Sequence, residues 1–469
     1  YIDKNFVFFF KYYHMIPKFE NWLKENSITE VECLVPDLGG IARGKILPSK
    51  KFIRGLKDDS HRLPQSIFIQ TISGGYATED DEELPIDVYN PTDIDVILRP
   101  DYNTIRTVPW YEDPTAQIIC DAVNLNGSPV INSSRSVLKK ILKLYEDLNF
   151  TPIVSPELEF YLVKPNPDSD YPLEVPIGQS GRKETGKQSY GIDAINEFDP
   201  LFEDVYNYCE DQNIEIDTIN HESGSAQMEI NFQHGEPLEL ADQVFLFKRT
   251  LRQSAIKHKL YATFMAKPIE NQPGSSMHLH QSLYNKKNKK NVFYNKNKTI
   301  SNLMKNYIGG LQKYTPNLMP IYAPNVNSYR RLFATWDAPR NTKWGIGNRS
   351  CGFRIPSNEE ISMRIESRIA GSDTNPYLVI AANLASGYLG MKNKIKPSTE
   401  TKKSVFDEKK SSLPKNMEEG ISMFEKDEEI SEVFNQKFIR TISAIRRVEF
   451  QAYLKVISSW EREFLLLNV

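Results

Sequence analysis

Carboxylates and imidazoles recur along this chain at a spacing of two. Glu157 and Glu159 lie within Val154–Leu162, Glu229 within Gln227–Phe232, and His278 and His280 within Met277–Ser282. Glu366 lies between Arg364 and Arg368 in Met363–Arg368, and Glu222 stands in the turn ahead of Glu229. In an extended chain, successive side chains point to opposite faces. The spacing therefore puts Glu157 with Glu159, and His278 with His280 and Ser282. Leu158, Phe160 and Leu162 take the other face. A lone Glu-x-Glu strand is ordinarily the solvated face of a half-buried sheet. Four such strands with almost no lysine on their polar faces point elsewhere. Carboxylate and neutral imidazole are ligands for divalent cations, and crowded carboxylates repel one another unless cations neutralise them.

An arginine set supplies the complementary charge. Arg330 and Arg331 follow Asn327-Ser328-Tyr329, Arg349 and Arg354 flank Ser350–Phe353, and Arg364 and Arg368 bracket Glu366. Guanidinium forks bind phosphate and carboxylate bidentately. Carboxylates, metals and arginines in one site suit phosphoryl transfer from a nucleotide to an acid. No G-x-x-x-x-G-K-[ST] loop is present to hold the nucleotide in P-loop fashion, and no G-x-S-x-G elbow or Cys–His pairing suggests a nucleophilic hydrolase.

The elements that must position these groups fall into two parts. A short helix is predicted at 17–26, with strands at 30–35, 94–98 and 115–120 and a turn at Asp37–Gly40. Together they make a β-rich N-terminal domain with little helix, spanning 15–128. In the second part, 129–469, Val137, Ile141, Leu144 and Leu148 recur at helical spacing after a serine-rich start that can cap. A longer helix follows Pro237 through Val244, Phe247, Leu251 and Ile256. The chain is thus α+β. Residues 164–190 and 396–412 read as mobile loops, and the Lys/Asn-rich stretch 285–298 as a solvated hairpin. That stretch lacks the aromatic interleaving of a nucleic-acid surface.

The 469 residues are 40% hydrophobic and 25% charged with a net charge of −3, an ordinary globular composition with no global field toward nucleic acid or an anionic membrane. Cys33, Cys120, Cys209 and Cys351 form no C-x-x-C pair, which fits a reducing cytoplasm. No apolar run approaches a membrane span. Residues 1–14 begin at Tyr1, and their short aromatic run is unlike a signal sequence. They read as an extension ahead of a native start at Met15, or as a short amphipathic arm.

Six stretches, taken in order, resemble the glutamine synthetase family, most of all its gamma-glutamylpolyamine synthetase and glutamate–amine ligase branch. They are Pro156–Phe160, His221–Glu229, Gly274–Ser282, Asn327–Arg331, Asn348–Ser350 and Arg364–Arg368. The resemblance implies a β-grasp N-terminal domain and a catalytic domain with a curved antiparallel sheet. It also implies a ring-stacked homo-oligomer, a dodecamer. Carried over, Glu159, Glu222 and Glu229 would hold one magnesium or manganese ion, and Glu157, His278 and Glu366 another. Gly274, Arg331 and Arg368 would position L-glutamate, and His280, Ser282 and Arg364 would contact ATP. Arg349 and Arg354 would hold the transferred phosphoryl group. The implied reaction forms γ-glutamyl phosphate, which an amine then attacks.

Two departures bear on the amine. Where ammonia-using members carry an Asp-Gly-Ser-Ser turn, this chain reads Thr71-Ile72-Ser73-Gly74-Gly75-Tyr76-Ala77, with no Asp. The flap glutamate falls at Asp337, one methylene shorter. Both favour an alkylamine or polyamine over ammonia as nucleophile. The alternatives are a glutamine synthetase using ammonia and an inactive ring protein of the same fold. The familiar glutamate-side Asn aligns with Pro273, with Asn271 nearby, and 390–400 has no tyrosine where many bacterial members are adenylylated.

Overall fold

The computed structural model describes residues 15–469 except 79–83, 85, 87, 296–298, 335–337, 357–358, 361, 407 and 409–410. The predicted extension 1–14 and Asp337 lie outside the described residues.

Six strands form the N-terminal sheet: β1 (Glu30–Pro36), β2 (Ala42–Pro48), β3 (Arg62–Pro64), β4 (Asp95–Pro100), β5 (Arg106–Thr107) and β6 (Thr115–Val123). Their order is β2-β1-β6-β4-β3, with β5 on β6 and the central pair β1–β6 parallel. A parallel pair needs a long crossover. Part of it is the helix Ser49–Asp58, which packs with the helix Ile16–Glu25 through an edge-on contact of Phe52 and Phe19, 5.7 Å between ring centres. This part of the chain therefore holds more helix than its turn-rich sequence predicts. Val31, Cys33 and Val35 pack toward these helices, while Leu34 and Ile119 join the core of the rest of the chain. A sheet covered on both faces reads as continuous apolar strand, which explains the pattern of β1 and β6.

The second sheet draws on β7 (Phe150–Val163), β8 (Ile216–His221), β9 (Gln227–Phe232), β10 (Tyr261–Thr263) and β11 (Met277–Asn285). A small hairpin of β12 (Tyr294–Asn295) and β13 (Thr299–Ile300) stands apart, and β14 (Trp344–Ile346), β15 (Phe353–Ile355) and β16 (Ile365–Ser367) complete the set. The order is β14-β15-β16-β11-β7-β9-β8, with β10 on β7. All pairs in this sheet are antiparallel except the parallel β14–β15.

Helices Ser134–Asp147, Pro237–Lys257 and Pro376–Lys392 enter the same core as the apolar face of this sheet. Pro376–Lys392 is apolar on all sides, as suits a helix at the centre of a core. Its start is marked by Asn375, whose side chain accepts from the backbone of Tyr377 and Leu378, followed by Pro376. Ser133 makes no side-chain cap. Instead Ser134 Oγ donates to Pro36 O at 3.1 Å, tying the helix to β1. Leu148 and Ile256, at the predicted ends of the apolar rows, are exposed.

Both predicted mobile loops are anchored. Trp344 Nε1 donates to Ser398 O at 2.8 Å and Thr401 N to Trp344 O at 2.9 Å, so part of 396–412 lines the β14 edge. The stretch 164–190 packs beside Glu222, as described below. Lys286–Lys290 form an exposed turn closed by a Tyr284–Asn291 bridge. The four cysteines are buried free thiols. Among the described residues, no helix is long and apolar enough to cross a membrane.

Candidate active site

Strand register gathers the chemistry. His278 pairs opposite Glu157 across β11–β7, and Glu159 opposite Glu229 across β7–β9. Glu366 pairs opposite His280 across β16–β11, and Arg354 opposite Glu366 across β15–β16. Leu158, Phe160, Met228, Ile230, Leu279 and Ile365 are buried in the core by their alternate positions. Directly opposed residues on one face are the closest side-chain neighbours in a sheet. The period of two has thus become one polar patch across five strands.

Glu366 is the most enclosed carboxylate, with its side chain 1% exposed. It accepts from Arg354 Nη1 at 2.7 Å and from Arg368 Nη1 at 2.5 Å. Burial pushes its pKa up, but Arg368, His280 and His278 outweigh burial and hold it to about 2. Arg364 Nε donates to His280 Nδ1 at 3.0 Å, so His280 carries its hydrogen on Nε2, which donates to Glu157 Oε1 at 2.7 Å. His278 Nδ1 lies 3.3 Å from Glu157 Oε2 and 4.0 Å from Glu366 Oε1. Burial pushes His278 down to about 4, which leaves the imidazole neutral and able to act as a ligand at neutral pH. Glu157 is held below the usual carboxylate range because the bonds from His278 and His280 outweigh its burial.

The other carboxylates behave oppositely. Burial raises Glu159, and repulsion from Glu222 and Glu229 raises it further. Burial raises Glu229 to about 8, with added repulsion from Glu157 and Glu222. This is the signature of a site that wants a cation: mutually repelling acids with few compensating lysines. Donor atoms of Glu157, Glu229 and His278 lie within 4.8 Å of one another, as do those of Glu157, His280 and Glu366. Hard carboxylate oxygens with imidazole fit magnesium or manganese.

These groupings differ from those implied by resemblance. Glu157 belongs to both, and His280, assigned to the nucleotide, stands with Glu366. Carboxylates do not close on one another, whereas imidazole and guanidinium offer them donors. Arg354 and Arg368, assigned to phosphoryl and glutamate, each give one N–H to Glu366. Their Nε–H groups are buried with no hydrogen-bond partner among the described residues. Arg331 is buried, donating to Ile369 O, Ser276 Oγ and Arg368 O. Arg349 and Arg330 are exposed, and Arg330 bonds Tyr453 Oη on the helix Gln436–Leu454 instead of entering the site. Ser282 is buried on β11, two residues beyond His280.

Gly274 is needed for close approach. A Cβ there would meet Arg331 Cγ at 2.6 Å and Ala266 O at 2.8 Å. Gly274→Val is expected to cost about 1–3 kcal/mol by overpacking, read as a lower urea midpoint. An unchanged midpoint would mean that Arg331 swings aside freely.

Several positioning groups escaped sequence reading. Gln227 Nε2 donates to Gly274 O at 3.0 Å and lies 3.5 Å from Glu159 Oε2, while Ser276 N donates to Glu159 Oε2 at 2.7 Å. Asn220 Nδ2 donates to Glu229 Oε1 at 3.4 Å. Gln227 and Ser276 share the spacing of two with Glu229 and His278, so the same rule could have found them.

The protonated acids make cation binding pH-dependent. Divalent-cation affinity is expected to rise as pH climbs toward about 8, because the cation displaces the Glu229 proton. Without cation, a folded pKa raised above the unfolded value contributes stability at low pH that is lost as pH rises through about 8. Calorimetric Mn²⁺ titrations in buffers of different ionisation enthalpy check this. A flat affinity with no proton release would contradict it.

Fold and site together define a class: an α+β enzyme with carboxylates, imidazoles and guanidiniums gathered on one sheet face for divalent cations and anions. Residues 132–465 match the family model described as glutamine synthetase, catalytic domain. The chain is 29% identical over 458 residues to a glutamate–isopropylamine ligase of a Pseudomonas species, covering 95% of this chain and 96% of that one. It is 30% identical over 442 residues to the gamma-glutamylputrescine synthetase PuuA of Escherichia coli, covering 93% and 92%. It is also 30% identical over 437 residues to a glutamine synthetase of Pyrococcus abyssi, covering 92% of each. Among solved structures, a GmaS–ADP complex aligns with a TM-score of 0.78 at 25% identity, covering 95% of this chain and 98% of that one. The chain belongs to the glutamine synthetase family, whose relatives here are ligases that form carbon–nitrogen bonds.

Proposed function

We propose that the protein is an ATP-dependent ligase that joins the γ-carboxylate of L-glutamate to a primary amine through γ-glutamyl phosphate. The observation that carries this reading is the pair of buried Nε–H groups on Arg354 and Arg368, without a hydrogen-bond partner among the described residues, beside a carboxylate–imidazole cluster. Anion donors next to a cation site are what attack of a carboxylate on a phosphate requires, since both reactants are negative.

Glu157, Glu159, Glu222, Glu229, His278 and Glu366 would hold two magnesium or manganese ions, with His280 near enough to share. Bound there, the ions supply charge neutralisation at the transferred phosphoryl group. Arg349 and Arg354 would hold that group. Arg331, Arg368 and the close backbone at Gly274 would orient glutamate, and His280, Ser282 and Arg364 would contact ATP. The amine must be neutral to attack, so Asp337 would take its proton.

An amine larger than ammonia is supported by the two relatives that act on isopropylamine and putrescine. The turn at 71–77 supports it too. It closes through Thr71 N to Gly75 O at 2.9 Å and presents no carboxylate of its own. ADP release with glutamate, Mg²⁺ and a panel of ammonium, methylamine, isopropylamine, ethanolamine and putrescine tests the reading. Preference for an alkylamine or diamine is the expected result. Preference for ammonium would make the chain a glutamine synthetase, and no release with any amine would favour a structural ring protein.

We propose 15–128 as a β-grasp domain, 129–469 as the catalytic domain, and a cytoplasmic setting. A homo-oligomer, a dodecamer in this reading, is supported by the exposed apolar C-terminal arm: Leu454, Val456, Ile457, Trp460, Phe464 and Leu466 are all exposed. Such a patch on a monomer is unusual. Sedimentation of the full chain would show one large species, and a monomer would refute the assembly.

A further inference from the structure

We propose that Glu184 and His221 form a positioning pair that sets Glu222 in place as a cation ligand. This rests on the reading of Glu222 as a ligand. Glu184 comes from 164–190, whose composition reads as a mobile loop. Its side chain is nonetheless 9% exposed, and that of His221 is 0% exposed.

Glu184 Oε1 lies 2.8 Å from His221 Nε2. The other ring nitrogen, Nδ1, is 2.6 Å from Glu222 O. A carbonyl only accepts, so Nδ1 carries a hydrogen and ties the ring to the Glu222 backbone, while Nε2 faces Glu184 in a close contact that is not aligned as a hydrogen bond. The second carboxylate oxygen, Oε2, accepts from Ala226 N. Ala226 sits in the left-handed region at φ +54°, a conformation a non-glycine residue holds at some cost. One carboxylate thus bonds one end of the turn 221–226 and packs against the other, and Glu222 N donates to Gln227 O at 2.8 Å across it.

The rest of the loop reinforces this. Lys187 N donates to Ser223 O at 2.8 Å and Tyr190 N to His221 O at 2.9 Å, one bond on each side of Glu222. The Ser189 and Ser223 hydroxyls are 2.9 Å apart. Gly186, at φ +77°, allows the close approach, since a Cβ there would meet Ser225 Oγ at 2.8 Å. β8 is the edge of its sheet, and this segment covers the strand end that leads into Glu222. Groups that orient ligands in this way typically change metal affinity about 10- to 100-fold when removed.

The test is Mn²⁺ affinity of the full chain, by calorimetry and by electron paramagnetic resonance, with thermal midpoints alongside. Glu184→Ala is expected to weaken Mn²⁺ binding by about 10- to 100-fold. Glu184→Gln should recover most of it, because the amide oxygen still accepts from Ala226 and the amide NH2 can meet Nε2. Should Glu184→Ala fail to fold, His221→Asn carries the same comparison, losing the Glu184 contact. A lower midpoint with unchanged affinity would make the pair merely structural and overturn the proposal. Glu222→Gln separates the two ideas. If it weakens Mn²⁺ binding while Glu184→Ala and His221→Asn do not, the positioning pair is wrong. If Glu222→Gln itself binds Mn²⁺ normally, the ligand reading fails, and the pair fails with it.

Discussion

Glu157→Gln is expected to lower ADP release with glutamate and amine by roughly 100- to 1,000-fold while leaving the chain folded. Among the described residues, Glu157 is common to both donor groups, so one change there removes a ligand from each. It takes the Nε2 hydrogen of His280 at 2.7 Å, and His280 in turn accepts from Arg364. The amide keeps the shape but loses the charge, and a cation site with one carboxylate fewer binds less tightly. Because Glu157 is ionised well below neutral pH, its charge is fully present at any working pH. The measurement is turnover at saturating ATP with Mg²⁺ and with Mn²⁺, paired with Mn²⁺ titration. A loss smaller than about tenfold would remove Glu157 from the centre of the site.

Arg135→Met should have the largest effect on stability. Arg135 is 1% exposed. Its guanidinium donates to Asp242 at 3.0 and 2.9 Å, Asp121 at 2.6 Å and Asp101 at 2.7 Å. Tyr377 Oη adds a bond to Asp242 at 2.6 Å. Asp121 lies on β6 and Asp101 just beyond β4, while Asp242 and Tyr377 lie on helices against the second sheet. One side chain therefore joins the two parts of the chain. Burial works against its charge, but Asp242 and Asp121 outweigh burial and hold it charged. Removing it leaves the three carboxylates without their shared cation, Asp121 keeping Lys139 and Asp242 keeping the Tyr377 hydroxyl. Breaking a buried pair from one side costs about 3–5 kcal/mol. A lower urea midpoint is expected, with part of the loss recovered in Arg135→Met/Asp242→Leu. A loss under about 1 kcal/mol would place the network with exposed ion pairs.

The reach of sequence reading differs from element to element. β7, β9 and β11 were legible because an apolar–polar alternation of two has one physical meaning in a half-buried strand. β16 is shorter than its pattern, only Ile365–Ser367, so Arg364 and Arg368 flank it. Arg330 and Arg331 look alike in sequence, yet one reaches Tyr453 at the surface and the other is buried against β16. Adjacent residues on a helix point in different directions, and only packing decides which points inward. The stretch 164–190 reads as mobile from composition. Its anchoring by Glu184 depends on His221 and Ala226, which are distant in sequence and carry no local signal.

The sequence alone determined which side chains share a face and that those faces are rich in carboxylate, imidazole and guanidinium. Period and charge are local properties of the chain, so they can be read locally. Tertiary structure alone decided which faces meet. Strand register set Glu157 opposite His278 and Glu366 opposite His280. Burial pushes Glu366 up, but the neighbouring Arg368, with His280 and His278 brought in by that register, holds it to about 2, while burial and repulsion from Glu157 and Glu222 raise Glu229 to about 8. A carboxylate's proton affinity depends on the charges within a few ångströms, and those neighbours come from strands far apart in the chain.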